Sequence, residues 1–204
     1  MTPEVMQFGE KIILPIEVTN KRIVEVGSYN VNGSFSTFVK KYKPKEYLGL
    51  DLTPCDHDGW VCNDGSAVHL EEPCVNLVMD VLELVDRFGK ESFDYVICTE
   101  MLEHAENWKA CISVMKNALK SNGYLVLTTR SPGFPVHSYP DDWWRFTVED
   151  MQYIFADCEI LALESEKTAE GVDIKVKKPV NFKERIIDID VFSMKTLRHV
   201  PRDI

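Results

Sequence analysis

Short runs of uninterrupted apolar residues alternate along this chain with stretches whose apolar positions recur every three or four residues. Arg22 to Val26 (RIVEV) alternates too little for a half-buried strand and reads as a central strand, apolar toward both faces of a sheet. It stops at Gly27. After a polar loop, Asn32-Gly33-Ser34 opens a segment in which Phe35, Phe38, Val39 and Tyr42 fall at helical spacing. Tyr47 to Leu50, closed by Asp51, is the next strand, and Val75 to Asp80, Phe93 to Cys98 and Tyr124 to Thr128 repeat the pattern. Helical spacing fills two gaps between them, in VLELVDRFG after Asp80 and from Trp108 to Leu119, the latter ended by Asn122-Gly123. Alternating strands and helices predict an α/β fold with a mostly parallel sheet and helices on both faces.

The ends of the chain add detail. Thr2 as cap, Pro3 at the first helical position and Glu4 in the first turn predict a leading helix from Thr2 to Leu14, weakened by Gly9. Thr147 to Phe155 is expected as a helix capped by Thr147 with Asp150 as its reciprocal partner. Cys158 to Glu164 and Val172 to Lys177 are strands joined too closely for a parallel crossover, so they must be antiparallel to each other. Thr53 to Cys74 reads as a loop with a short strand near Trp60 to Cys62. The prolines and aromatics of Arg130 to Phe146 suggest a folded-over loop that closes a pocket. Of the tail from Pro179 to Ile204, only an amphipathic piece at Phe182 to Phe192 is legible.

The 204 residues, 45% hydrophobic and 27% charged, suit one soluble domain over 1–204, with a core at about 20–178 and a C-terminal extension at 179–204. A formal charge of −10 disfavours a general nucleic-acid binder. Glu4, Glu10 and Lys11 interrupt the apolar N-terminus, so neither a signal core nor a membrane span is expected there, and the location is read as cytoplasmic. Reduced thiols are then expected for the six cysteines. Cys55, His57, Cys62, His69 and Cys74 invite a zinc site, but none of these cysteines is paired at C-x2-4-C spacing.

A strand, a glycine loop and a helix, with an acid about 20 residues on, form a nucleotide-binding unit in which Asp51 accepts from ribose hydroxyls. The loop lacks the G-x-G-x-x-G that a pyrophosphate needs, since Tyr29 stands at the second glycine position. The ligand expected is therefore one with ribose and adenine but no pyrophosphate. Asp80 reads either as an acceptor for the adenine amino group, with the Val81 N–H on a ring nitrogen, or as a helix cap. Thr99 to His104 leaves a strand at the carboxyl edge, where open α/β sheets bind ligands.

These residues resemble the class I S-adenosylmethionine-dependent methyltransferases. Glu25-Val26-Gly27 looks like their first motif and Asp51 like their second-strand acid. FDYVICTEMLEH (Phe93 to His104) and NGYLVLTTRSPGF (Asn122 to Phe134) look like their fourth and fifth strands with exits, and YPDDWWRFTVEDM (Tyr139 to Met151) like the segment after the fifth strand in one subgroup. The similarity runs from Arg22 to Glu164; it departs at Tyr29 and Val31, where most members carry glycine. It implies a seven-stranded, Rossmann-like sheet ending in an antiparallel hairpin. It also implies S-adenosylmethionine contacts at Glu25, Gly27, Ser28, Tyr29, Asn32, Gly33, Asp51, Leu52, Asp80, Val81, Thr99 and Glu100.

His104 and His137 stand on the two ligand-edge loops as candidate acid–base residues. Glu100-Met101-Leu102-Glu103-His104 also resembles the metal-binding E-x-x-E-H of small-RNA 2′-O-methyltransferases and the matching stretch of ubiquinone-type O-methyltransferases. With His137 as a fourth ligand such a set would suit a divalent ion. The same letters recur in methyltransferases that hold no metal, so the metal stays open. Three functions are compatible with these residues: methyl transfer to an oxygen or nitrogen of a small molecule or sugar, methyl transfer to an RNA terminus or nucleoside, and a non-catalytic cofactor-binding subunit. Charge and aromatic loop favour the first.

Overall fold

The computed structural model describes residues 1–30, 33–54, 60–63, 66–69, 75–138 and 140–199, without the side chains of 60–63, 66–69 and 198–199. Helices α1 (Pro3–Ile12) and α2 (Pro15–Val18) lead into β1 (Arg22–Val26), and α3 (Ser36–Val39) continues as a 3-10 turn before β2 (Glu46–Asp51). A ribbon of β3 (Trp60–Asn63) and β4 (Ser66–His69) precedes β5 (Leu77–Val78), α4 (Leu84–Phe88), β6 (Phe93–Thr99) and α5 (Trp108–Ala118). The chain continues through β7 (Leu119–Arg130), β8 (Trp144–Arg145), α6 (Val148–Ile154), β9 (Glu159–Ser165), β10 (Gly171–Lys177), β11 (Phe192–Ser193) and β12 (Arg198–His199).

Seven strands form one sheet in the order β5-β2-β1-β6-β7-β10-β9. Strands β5, β2, β1, β6 and β7 pair in parallel, while β10 runs antiparallel to both β7 and β9. The expected antiparallel hairpin is thus present, with its second strand inserted between the first and the parallel body. Apolar residues of the central strands point both ways. Val24, Val96, Cys98, Leu125 and Leu127 join one core cluster with α4, α5 and α6, and Ile23, Tyr95, Ile97 and Val126 join the other with α1 and Phe35. Burial on both faces is why these strands read as continuous apolar runs.

Local chemistry sets the helix ends. The Thr2 hydroxyl accepts from the Val5 N–H at 3.2 Å, and Thr147 and Asp150 exchange side-chain-to-backbone bonds of 3.1 and 2.8 Å, the expected reciprocal cap. Gly9 keeps its place in α1 for packing: a Cβ there would overlap the Phe35 ring, which is fully buried.

Some expectations are corrected. Asn122-Gly123 does not end α5, which stops at Ala118; it sits within β7, where Asn122 takes φ +63° and a Cβ on Gly123 would lie 2.8 Å from the Asp94 carbonyl. Of Val75 to Asp80 only Leu77–Val78 is strand, because Asn76 spends its side chain on the Gly49 N–H and Asp80 turns to cap the following turn. The segment expected as one helix from Ser34 to Tyr42 yields one turn of α-helix followed by a 3-10 turn over its last three residues. The amphipathic piece of the tail is extended up to β11, with Ile187 and Ile189 against the core and Val191 buried. Beyond it, β11 pairs with β8 and β12 in a small antiparallel sheet. Cys98, Cys111 and Cys158 are free thiols, whereas the zinc candidates Cys55, His57, Cys62, His69 and Cys74 fall outside the described side chains. Among the described residues no helix is long and apolar enough to cross a membrane.

Candidate active site

Strand order reverses between β1 and β6, which opens a crevice at their carboxyl ends. A cavity of about 860 Å³ lies there, within the range of pockets that enclose small ligands. Glu25, Gly27, Ser28, Tyr29, Gly33, Asp51, Leu52, Asp80, Val81, Thr99, Glu100, His104 and His137 all line it. Asn32 lies outside the described residues.

One end of this cavity is made largely of backbone. Gly27 leaves β1 at φ +71°, and a Cβ there would lie 2.6 Å from that of Met101, so no side chain fits. The carboxylate of Asp51 accepts from the Tyr29 N–H at 3.1 Å and the Thr53 N–H at 2.8 Å, which fixes the loop while each oxygen keeps a lone pair for a hydroxyl. Asp80 does cap the turn after it, accepting from the Leu82 N–H at 2.9 Å. Glu25 is buried, with its carboxyl group held by the hydroxyls of Tyr47 at 2.8 Å and Ser34 at 3.2 Å. Burial pushes its pKa up to about 7 against those hydrogen bonds. The Ser28 hydroxyl is buried without a partner among the described residues. An orphaned hydroxyl, a glycine cradle and a ribose-type carboxylate fit S-adenosylmethionine.

The other end is made of side chains. Glu100 takes φ +54°, a left-handed conformation that costs a non-glycine residue strain, and its carboxylate meets Arg130 and the Thr128 hydroxyl, the latter at 3.0 Å. Arg130 also binds Glu166 at 2.9 Å and stacks 4.6 Å from the Phe134 ring centroid. Asp173 faces the same cluster, where burial and then Glu166 push its pKa up to about 8 against Arg130. Buried Arg145 organises the loop after β7. It donates to the Phe134 and Pro135 carbonyls at 3.3 and 2.9 Å and to both oxygens of Asp142 at 2.5 and 2.8 Å. Burial works against charge on Asp142, but Arg145 and the His137 N–H hold its pKa below the ordinary value.

His104 and His137 meet there. His104 Nδ1 lies 2.6 Å from the Asp141 carbonyl, His137 Nδ1 lies 3.1 Å from Asp142 Oδ2, and the two Nε2 atoms face each other at 3.1 Å. Burial, then the neighbouring His104, lower the pKa of His137, with Asp142 opposing. Behind them Glu103 is fully buried; its Oε2 accepts from the Thr129 hydroxyl at 2.7 Å and its Oε1 has no partner among the described residues. Burial raises its pKa. Sequence reading does not single out Arg130, Arg145 or Asp142, since nothing in a single chain marks a buried arginine apart from a solvated one. The sole hint is the density of charge and aromatics in PDDWWR.

The sheet order, with β10 antiparallel between β7 and β9, is that of the class I S-adenosylmethionine-dependent methyltransferases. A family model described as a methyltransferase domain matches residues 3–157, and the chain belongs to that family. No curated protein matches it. A solved S-adenosylmethionine-dependent methyltransferase from Mesorhizobium loti superposes with a TM-score of 0.57 at 16% identity, over 84% of this chain and 96% of that one. The 1,6-didemethyltoxoflavin-N1-methyltransferase of Burkholderia thailandensis, solved with 1,6-didemethyltoxoflavin and S-adenosylhomocysteine, gives 0.60 at 12% identity over 85% and 78%. The N-methyltransferase NodS of Bradyrhizobium japonicum gives 0.54 at 14% over 86% and 95%. At these identities the likeness is one of fold.

Proposed function

We propose that this methyltransferase moves the methyl group of S-adenosylmethionine to an oxygen or nitrogen of a small-molecule or sugar acceptor. The observation that carries the reading is the cavity itself, with a ribose-type carboxylate at one end and two imidazole Nε2 atoms at the other. Gly27, Ser28, Asp51 and Asp80 would hold the cofactor, with Glu25 fixing the loop behind it. The acceptor lone pair attacks the methyl carbon as the carbon–sulfur bond breaks, giving S-adenosylhomocysteine and the methylated acceptor. The acceptor proton leaves to an imidazole or to water. No covalent nucleophile is required; the protein aligns the pair and excludes water, which Phe134 and the Arg145-braced loop support. His137 and His104 are the candidate proton acceptors.

The RNA-terminal or nucleoside reading draws on the convergence of Glu103, His104 and His137. Two observations weigh against it. Glu100 is turned to Arg130 rather than to that group, and Glu106 and Asp141 add acid to the acceptor end of a chain whose net charge is −10. The test is to supply methyl-labelled S-adenosylmethionine with metabolite extract, sugar nucleotides or total RNA, and to track label and S-adenosylhomocysteine together. Label in the small-molecule fraction is expected. Label in RNA alone would move the function to the second reading, and tight cofactor binding without transfer to any pool would point to the non-catalytic subunit.

A further inference from the structure

Charge is unevenly spread over the walls of the cavity. Arg130 is the sole lysine or arginine among the described residues that line it, and its guanidinium is already committed. Nη1 donates to Glu166 and to the Ala169 carbonyl, each at 2.9 Å, and Nη2 meets Glu100. Two carboxylates on one buried guanidinium leave that cluster with an excess of negative charge. Asp173 feels the same field, since burial and then Glu166 push its pKa up to about 8. Glu106 and Asp141 line the same end of the cavity with exposed side chains. Beside the histidine pair, Glu103 is fully buried, and its Oε1, without a partner among the described residues, lies 3.9 Å from Nε2 of both His104 and His137. A cleft walled by one sign of charge concentrates ligands of the other.

What this field does to methyl transfer depends on the acceptor. When a neutral amine attacks a sulfonium, positive charge moves from sulfur to the nitrogen that gains the methyl group. Fixed carboxylates around that nitrogen then stabilise the transition state more than the ground state. When an oxyanion attacks, negative charge has to be held on the acceptor before reaction, and the same carboxylates oppose it. A phosphate or carboxylate elsewhere on the acceptor meets the same repulsion, because Arg130 is engaged.

We propose that the acceptor is a basic amine that enters as an ammonium ion, attracted by Glu106 and Asp141, and is methylated on that nitrogen. This rests on the methyl-transfer reading above and narrows it. The ammonium ion gives one proton to the histidine pair, whose Nε2 atoms face each other at 3.1 Å. The electrons of the broken N–H bond remain on nitrogen as the lone pair that attacks the methyl carbon, and those of the carbon–sulfur bond leave with sulfur. The products are S-adenosylhomocysteine, the N-methylated ammonium ion and an imidazolium, which passes its proton to water. Burial lowers the pKa of His137, which keeps its ring free to accept at neutral pH. The orphaned Glu103 oxygen stands where the imidazolium forms, so the proton arrives beside a buried carboxylate that lacks a partner among the described residues.

The experiment gives the full chain methyl-labelled S-adenosylmethionine and a metabolite extract split at neutral pH by ion exchange into cationic, neutral and anionic pools. Label is expected in the cationic pool, resolved by NMR as an N-methyl group. Label confined to the neutral or anionic pool, or an O-methyl signal in the cationic one, overturns the amine and leaves the methyltransferase reading intact. No label in any pool removes both. With the labelled amine in hand, Glu106→Gln and Asp141→Asn are expected to lower kcat/KM by roughly two- to fivefold each, the worth of an exposed ion pair. The loss should lie in KM and shrink as salt is raised. Both side chains are exposed, and the groups that hold Trp144 and His104 are the backbone carbonyls of these two residues, so the fold survives either change. A loss in kcat alone, or one indifferent to salt, would overturn their part in attracting the acceptor.

Discussion

The two ends of the cavity are built by different physics. At the cofactor end the shape comes from backbone: a left-handed glycine, the ends of parallel strands, and one carboxylate that holds a loop by its N–H groups. At the acceptor end it comes from charged side chains taken out of water, with Arg145 clamping Asp142 and two carbonyls, and Arg130 shared between Glu100 and Glu166. The tail adds a strap there, since β11 pairs with β8, the Met194 N–H donates to the Trp143 carbonyl at 2.8 Å and Lys195 sits 4.2 Å from the Trp143 ring centroid. Backbone cradles are tolerant of what surrounds them. A buried ion-pair hub is not, because removing one member leaves the other charged and stranded.

The largest effect comes from that difference. Arg145→Ala strands the Asp142 carboxylate and frees two loop carbonyls, so stability should fall by about 3–5 kcal/mol and methyl transfer should be lost. In the molecules that remain folded, S-adenosylhomocysteine affinity should stay near that of the wild type. Denaturant unfolding and calorimetry on the same sample check both statements, and a parallel collapse of cofactor binding would show that the two ends are one unit.

Asp51→Ala acts at the opposite end and is the sharper probe. A hydrogen bond from a hydroxyl to a charged group is worth about 1.5–3 kcal/mol, so affinity for S-adenosylhomocysteine should drop at least tenfold. The variant also loses the Tyr29 and Thr53 N–H contacts, yet both lie at a partly exposed loop where water can replace them. Unfolding free energy should therefore change far less than affinity. Equal losses in the two measurements would remove Asp51 from the ribose and make it a loop brace only.

The same contrast explains what the chain discloses before its structure is known. Periodicity and punctuation find β1, β2, β6, α5 and the β9–β10 hairpin, because burial on two faces and short connections leave local marks, and Gly27 and Asp51 are legible because loop chemistry is local too. The place of β10 beside β7 has no local mark, since it depends on which edge the hairpin reaches. The hub at Arg145 joins residues 134, 135 and 142, and the tail reaches back from 192 to 145. A single sequence does not register such pairings. His104 and His137 are legible as candidates, but their face-to-face approach over an orphaned Glu103 oxygen is visible only in three dimensions.

The smallest effect concerns pH, and it tests whether Glu25 belongs to the backbone-built end as a neutral brace. Its pKa in the folded protein is raised from 4.5 to about 7, chiefly by burial, so the native state holds this proton more firmly than the unfolded chain does. The contribution to stability is then full below pH 4.5, declines as pH rises, and is gone above about 7. Glu25→Gln keeps the size and a carbonyl acceptor for Tyr47 or Ser34 but has no proton to lose. The difference in unfolding free energy between the variant and the wild type should therefore move in the variant's favour from pH 4.5 to 8. The ceiling for the shift is about 3 kcal/mol, and relaxation around a buried group brings the expected change to about 1 kcal/mol. Asp173, raised from 3.8 to about 8 in the Arg130 cluster, slopes in the same direction but is present in both proteins and cancels in the difference. A flat difference across that range would mean that Glu25 is charged throughout, and that the cofactor end too depends on a buried charge.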